Sequence, residues 1–176
     1  MNGHAGQSGL TLLEMLTTIT LLFVLASLAA PGLRTFIQNN RAATQANELV
    51  MSLNLARNEA ATRGNRVSVC ASTDGVTCSA RTDWTGGWLL FDDRTPPSGT
   101  LNAQPGDDEI LRAFPALQGG GTATGSQAAV TFLPNGFLDE AAPVDFALRV
   151  PDCSGNQGRD LRINLQGRTA VTRVPC

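Results

Sequence analysis

The stretch Leu10-Thr11-Leu12-Leu13-Glu14-Met15-Leu16 opens an apolar run that closes at Leu28-Ala29-Ala30-Pro31-Gly32, and its reading decides the fold. Between Leu10 and Ala30 only Glu14 carries a charge. At a helical rise of about 1.5 Å those residues make a rod of roughly 31 Å, enough to cross the hydrocarbon core of a bilayer. An ionised acid deep in hydrocarbon costs roughly 2.5–3.5 kcal/mol on an insertion scale, and less near a helix end. Such a residue ordinarily has a partner. Glu14 lies one helical turn beyond Leu10, and a cut between Gly9 and Leu10 gives Leu10 a free amine that Glu14 can neutralise, on its own chain or on a neighbour.

Upstream, residues Met1 to Gly9 contain no Lys or Arg. An ordinary secretory leader has a basic start, an apolar core of about 7–15 residues and a small-residue cleavage site. Ser27-Leu28-Ala29 passes for such a site, but the start is not basic and the apolar run is too long. Arg34 and Arg41 follow the segment, so flanking charge alone places the carboxyl side in the cytoplasm. The four cysteines argue for an oxidising compartment on that side, and large domains translocate largely regardless of flanking charge.

Downstream, the helical period resumes. Ala42, Ala46, Leu49, Val50, Leu53, Ala56 and Ala60 form one stripe at spacings of three and four, with Arg41, Glu48, Asn54, Arg57 and Glu59 mostly on the other face. The helix is expected to stop near Gly64, with Arg63 suiting the negative end of its dipole. At Pro31-Gly32 the missing backbone donor and the added freedom predict a kink or a melted turn.

Beyond Gly64 the period becomes two. Val67 and Val69 alternate with Ser68 and Cys70, and Trp88-Leu89-Leu90-Phe91 reads as a strand covered on both faces. Ile110–Phe114, Ala129–Leu133 and Val144–Val150 are further strands. Pro96-Pro97, Pro105-Gly106 and Gly119-Gly120-Gly121 with Thr122 to Ser126 read as loops, the last as a flexible surface loop and not a phosphate cradle, since no Lys-Ser/Thr follows it. Leu161, Ile163 and Leu165 alternate with Arg162 and Asn164 before a three-residue turn at Gln166-Gly167-Arg168, which places Ile163 opposite Val171 and Leu165 opposite Thr169. Arg168 then sits at the tip, Arg162 points outward with Ala170 and Thr172, Arg159 precedes the strand and Arg173 lies near the end of its partner.

The formal charge is −2, which announces no nucleic-acid protein, and all thirteen basic residues are arginine. Charge is uneven: seven acids face Arg81 and Arg94 between Asp74 and Ile110, whereas five arginines face three aspartates from Ala141 onward. Four cysteines allow three pairings. The short loop between Cys70 and Cys78 favours a local bridge, leaving Cys153 to Cys176, a closure worth roughly 3 kcal/mol on a chain-entropy model. His4 is the only histidine and lies in the leader, so neither a zinc site nor a Ser-His-Asp arrangement is expected. Asp92-Asp93 and Asp107-Asp108-Glu109 read as solvated turns, able at best to hold calcium through oxygen ligands. The chain is expected to be no enzyme and to use no cofactor and no metal.

The residues Ser8-Gly9-Leu10-Thr11-Leu12-Leu13-Glu14 resemble the processing signature of type IV pilins and pseudopilins, with Leu10 where phenylalanine is more usual. The resemblance implies that a prepilin peptidase cuts after Gly9, that Leu10 is then methylated, and that Glu14 guides docking into a growing fibre, with Pro31 matching that family's helix-breaking proline ahead of Gly32. Asn47-Glu48-Leu49, Ala56-Arg57-Asn58-Glu59-Ala60, Arg162-Ile163-Asn164 and Gly167-Arg168 look like the GspH/FimT/FimU group of minor pilins and pseudopilins. The expected fold is α+β. Residues 1–9 are a leader, 10–30 a transmembrane helix, 31–63 its amphipathic continuation, and 64–176 a periplasmic head of antiparallel strands in two sheets, stapled by disulfides.

That resemblance implies a single-pass inner-membrane subunit, amino terminus cytoplasmic, later built into a type IV pilus or a type II secretion pseudopilus, at its tip or initiation complex. Its partners are then other pilin subunits, the peptidase and the membrane. In the FimT branch a Gly-Arg-x-Arg tail is associated with DNA capture for natural transformation. Here Gly167-Arg168-Thr169-Ala170 keeps the first arginine and lacks the second, which leans toward a structural subunit. The alternative is sequence-independent DNA contact through Arg159, Arg162, Arg168 and Arg173. The scarcity of aromatics near the tail, with none after Phe146, argues against a single-strand stacking platform.

Overall fold

The computed structural model describes residues 11–102, 104 and 107–176, with Pro31 described in its backbone alone. The leader, the Gly9–Leu10 bond and the Pro105-Gly106 turn lie outside the described residues. The chain divides at Ile37/Gln38 into two units.

One helix, α1, runs Leu12–Arg63. Thr11 starts it: its hydroxyl accepts the Glu14 amide at 3.3 Å and its carbonyl accepts the Met15 amide. Thr11-x-x-Glu14 has the spacing of a capping box, and an acid in the first turn suits the positive end of the dipole. Within the apolar run Thr17, Thr18, Thr20 and Ser27 return their hydroxyls to carbonyls three or four residues back at 2.7–3.0 Å. Those bonds let polar side chains sit in an apolar medium without an unpaired donor. The turn expected to melt at Pro31-Gly32 stays helical. Proline deletes a single amide donor, and the good helix formers Ala29, Ala30 and Leu33 around it keep the rest of the ladder. Gly64 ends the helix at φ +69°, its amide bonding the Ala60 carbonyl at 3.0 Å.

Among the described residues eight strands follow: β1 Arg66–Ala71, β2 Trp88–Asp93, β3 Glu109–Phe114, β4 Thr122–Gly125, β5 Ala129–Phe132, β6 Val144–Arg149, β7 Gly158–Ile163 and β8 Thr169–Val174. They form two antiparallel sheets of four, ordered β3-β2-β1-β5 and β4-β6-β7-β8. The helix stripe works as its spacing predicts. Ala46, Leu49, Leu53, Ala56 and Ala60 are buried together with Val67, Val69, Trp88, Leu90 and Phe132 of the first sheet and Ala123, Phe146, Leu148, Leu161 and Ile163 of the second. Alanine at alternate contact points lets backbones approach, while leucines fill the space between the sheets. Strand β2 is buried along its whole length: Trp88 and Leu90 face this core, and Leu89 and Phe91 face a smaller one with Cys70, roofed by Cys78, Leu101 and Ala129.

Three expectations need correction. Residues 122–125 form a strand and not a flexible loop: they pair with β6, bury Ala123, and are covered on the other side by Trp84 and Thr82, whose backbones bond Ala123 and Gly125 at 2.8 Å. The β7–β8 register is displaced by two residues, with Ile163 opposite Thr169 and Leu161 opposite Val171. The cause is a longer turn, in which Asn164 bonds the Arg168 carbonyl and amide and the Gly167 amide, while the Leu165 carbonyl accepts the Leu138 amide. Asp92 and Asp93, expected in a solvated turn, are buried at the end of β2. Asp93 accepts the Ser68 hydroxyl at 2.6 Å and the Gly99 amide at 2.7 Å and faces Arg66 at 3.5 Å. Asp92 binds Arg94 at 2.7 Å and faces Arg63 at 3.7 Å.

The bridges are Cys70–Cys78 and Cys153–Cys176, with Cα separations of 5.6 and 5.7 Å. The second ties the end of β8 to the turn after β6. Strand β8 needs that tie, since it is an edge strand exposed on both faces over most of its length.

Candidate functional site

Two regions carry the candidate residues. The first is the amino-terminal half of α1. Its apolar window has a mean hydropathy of 2.1 and none of it is buried within the chain, so the helix is long and apolar enough to cross a membrane. Leu12, Leu16, Phe23 and Leu28 all stand in the open. Glu14 lies in the first turn among them. Gly9 and Leu10, the residues expected to be processed, lie outside the described residues, as does any amine that Glu14 would meet.

The second region is the β7–β8 hairpin. Sequence placed four arginines there, and the structure separates them. Arg159 lies inside β7, 4 % exposed, and its Nη1 donates to the carbonyls of Asn156, Gln157 and Gly158 at 3.3, 3.1 and 2.8 Å. Burial, and then the charge of Arg173 opposite, pull its pKa down. A guanidinium engaged in this way is not placed to meet a phosphate. Arg162 is exposed and faces Asp145 at 3.6 Å, a surface pair of small worth. Arg168 and Arg173 are exposed.

The hairpin tip is seated on helix α1. Arg57 donates Nε to the Gly136 carbonyl at 2.9 Å, joining the helix to the turn after β5. Gly136 has φ +78° and Gly167 φ +72°, and a Cβ on Gly167 would strike the Gly136 carbonyl and press on Arg57. Only glycine permits that approach. Around it opens a cavity of about 350 Å³ lined by Arg57, Phe137, Asn164, Gln166 and Arg168. The sequence marks Ala56-Arg57-Asn58 and Gly167-Arg168 separately and carries no signal that they meet. Phe137, exposed at the rim, also supplies an aromatic beside the tail that chain order alone conceals.

The acid clusters organise loops. Asp108 accepts the amides of Arg94, Thr95 and Asn102 and the Thr95 hydroxyl at 2.8–3.1 Å, and although burial opposes ionisation these donors hold its pKa below the usual value. Asp74 binds the Thr77 hydroxyl and the amides of Val76 and Thr77 inside the Cys70–Cys78 loop, which pull its pKa far down. Among the described residues no group of three or more His, Cys, Asp or Glu is placed to hold a metal ion.

The family model described as "Type II transport protein GspH" matches residues 45–167. No curated protein matches the sequence. Among solved structures, the type IV minor pilin FimU of Pseudomonas aeruginosa is similar in two crystal forms. In one it is 26 % identical with a TM-score of 0.59, covering 78 % of this chain and 92 % of that one. In the other it is 26 % identical with a TM-score of 0.55, covering 74 % and 91 %. The minor pseudopilin EpsH of the Vibrio cholerae type 2 secretion system is 14 % identical with a TM-score of 0.46, covering 76 % and 97 %.

Proposed function

The chain belongs to the GspH family, whose members are structural, non-enzymatic minor pilins and pseudopilins, and from that premise we propose that it serves at the tip or initiation complex of a type IV pilus or a type II secretion pseudopilus. The observation that carries this reading is the match of the family model over residues 45–167 together with an apolar helix segment that no described residue buries. The helix anchors the subunit in the inner membrane, amino terminus cytoplasmic and head periplasmic, until assembly withdraws it into the fibre. Prepilin peptidase cuts after Gly9, Leu10 is methylated, and Glu14 neutralises an α-amine of a neighbouring subunit as the chain docks. In hydrocarbon that pairing removes most of the penalty on both charges.

Intact-mass measurement of protein from its native membrane tests the cut, with a chain beginning at Leu10 expected. A chain retaining Met1, or one starting near Ala30, contradicts it. Glu14→Ala is expected to leave processing intact and to abolish incorporation into the fibre. Deletion scored for twitching, protein secretion and DNA uptake separates the pilus from the secretion system.

A second reading is favoured by the exposure of Arg162, Arg168 and Arg173 on one hairpin. Arg162 and Arg173 project from opposite faces of the hairpin, with Arg168 at its tip; such exposed guanidinium groups would contact phosphates without sequence preference, and retention of plasmid DNA would then fall steeply with salt. Arg159 takes no part in it. An unchanged DNA shift after all three become Ala removes this reading.

A further inference from the structure

We infer that the cavity at the hairpin tip is a receptor for a carboxylate, occupied in the assembled fibre by an aspartate or glutamate side chain of the adjoining subunit. The inference rests on the reading of the chain as a fibre subunit, and it gives that subunit a specific contact in its head.

The lining is one-sided in its chemistry. Arg57, Arg168, Asn164 and Gln166 all offer N–H donors, and among the described residues no acid lines the cavity. Among the described residues Arg63, Arg66, Arg94, Arg149 and Arg162 each have a carboxylate within 4.0 Å, and neither Arg57 nor Arg168 does. Two guanidinium groups therefore share a concave site with no counter-charge from their own chain.

The site is also held in shape. The Arg57 Nε is engaged by the Gly136 carbonyl, which fixes the plane of the guanidinium and leaves its two Nη groups for a ligand. A planar fork of that kind matches the two oxygens of a carboxylate. Asn164 accepts the Arg168 amide through Oδ1 at 2.9 Å, so its NH₂ group remains a donor. Gly136 and Gly167 lock the two turns together behind Arg57. Donors fixed before the ligand arrives lose little entropy on binding.

The rim indicates what carries the carboxylate. Phe137 is 47 % exposed, apolar surface suited to the methylene stem of an acidic side chain. The occupant comes from a different surface of the neighbour. Two copies meeting through this same patch would set Arg57 and Arg168 against their own equivalents, like charge on like. A head-to-tail contact avoids that, and head-to-tail contacts are the kind that propagate an open filament.

The test uses the full chain in its native membrane, with photo-reactive benzoylphenylalanine in place of Phe137, the exposed aromatic of the cavity, so that the donors and the open volume are kept. The expected adduct is a peptide of another fibre subunit that contains Asp or Glu. Arg168→Glu is expected to lower incorporation into the fibre roughly tenfold, and changing the acid of the adduct peptide to Arg to restore it. Gln166→Trp, which fills the cavity without touching the Arg57–Gly136 bond, is expected to give the same loss while both disulfides and the melting temperature stay as in wild type. No adduct, an adduct to lipid, nucleic acid or an acid-free peptide, or wild-type incorporation of either variant overturns the receptor. If those variants assemble normally while Glu14→Ala does not, the receptor alone falls. If Glu14→Ala assembles normally too, the fibre reading falls with it.

Discussion

Arg159 and Arg173 stand directly opposite each other across β7 and β8, yet one is buried and the other open to solvent. The difference decides what each can do. Arg159→Ala would leave the carbonyls of Asn156, Gln157 and Gly158 without their donor, so it is expected to lower unfolding stability by about 2 kcal/mol. Arg173→Ala is expected to stay within about 0.5 kcal/mol of wild type. Urea denaturation of the detergent-solubilised protein checks both, and equal effects would contradict the assignment.

Gly167→Ala meets two penalties, a left-handed backbone and the Gly136 carbonyl in its way. A loss of about 1–3 kcal/mol is expected. Gly155→Ala is the comparison: its φ is +57°, but its Cβ points into open space, so only the backbone penalty of about 1 kcal/mol applies. The ordering of the two melting temperatures is the readout.

Removing the buried carboxylate in Asp93→Ala strands the Gly99 amide and one face of Arg66, and leaves the Ser68 hydroxyl with Thr131 alone at 2.7 Å. A destabilisation of about 3 kcal/mol is expected. Asp107→Ala, in the loop that the sequence treats as equivalent, is expected to be nearly neutral. Similar losses for the two would restore the picture of solvated turns.

Acid stability follows from Asp74 and Asp108, whose pKa values lie below the ordinary 3.8 in the folded chain. As pH falls the unfolded carboxyls take up protons first, so their contribution is complete above about pH 5 and is lost as pH drops from about 4 toward the depressed folded values. Glu140 acts in the opposite sense: burial raises its pKa, so its folded form gains a proton early and its effect weakens stability as pH rises through that range. Thermal melts of wild type and Asp108→Asn across the acid range test this. The variant should start lower at neutral pH and lose less on acidification.

Much of this architecture is legible in the chain because it is periodic. The helix stripe from Ala42 to Ala60, the doubly covered Trp88–Phe91 and the alternation after Val144 each announce their burial. The hairpin shows the limit of that signal. A shift of two residues preserves the alternation, so Arg162, Ala170 and Thr172 are rightly placed outward although their pairing partners are wrong. Strand β4 escapes because Thr-Ala-Thr-Gly offers one apolar side chain to the core and is held by its neighbours on both sides. Asp92 is held first by Arg94, two residues on, but Asp92 and Asp93 also draw on Arg63 at the end of α1 and Arg66 at the start of β1, which no local pattern reveals. The cavity is the extreme case. Its Arg57, Phe137 and Arg168 come from three separate elements, and their meeting is set by two glycines whose role is only visible once the turns are folded.

The seam where α1 gives way to β1 also determines how the head bears tension. Arg63 and Arg66 flank Gly64, and each faces an aspartate of β2. The greasy side of α1 overlaps the sheets from Ala46 to Ala60. A pull along the rod therefore meets a lap joint, loaded in shear along its whole overlap, with ionic rivets at its far end. Glycine at the corner need not carry the strain, because the force has already been handed to the sheet before it reaches the bend.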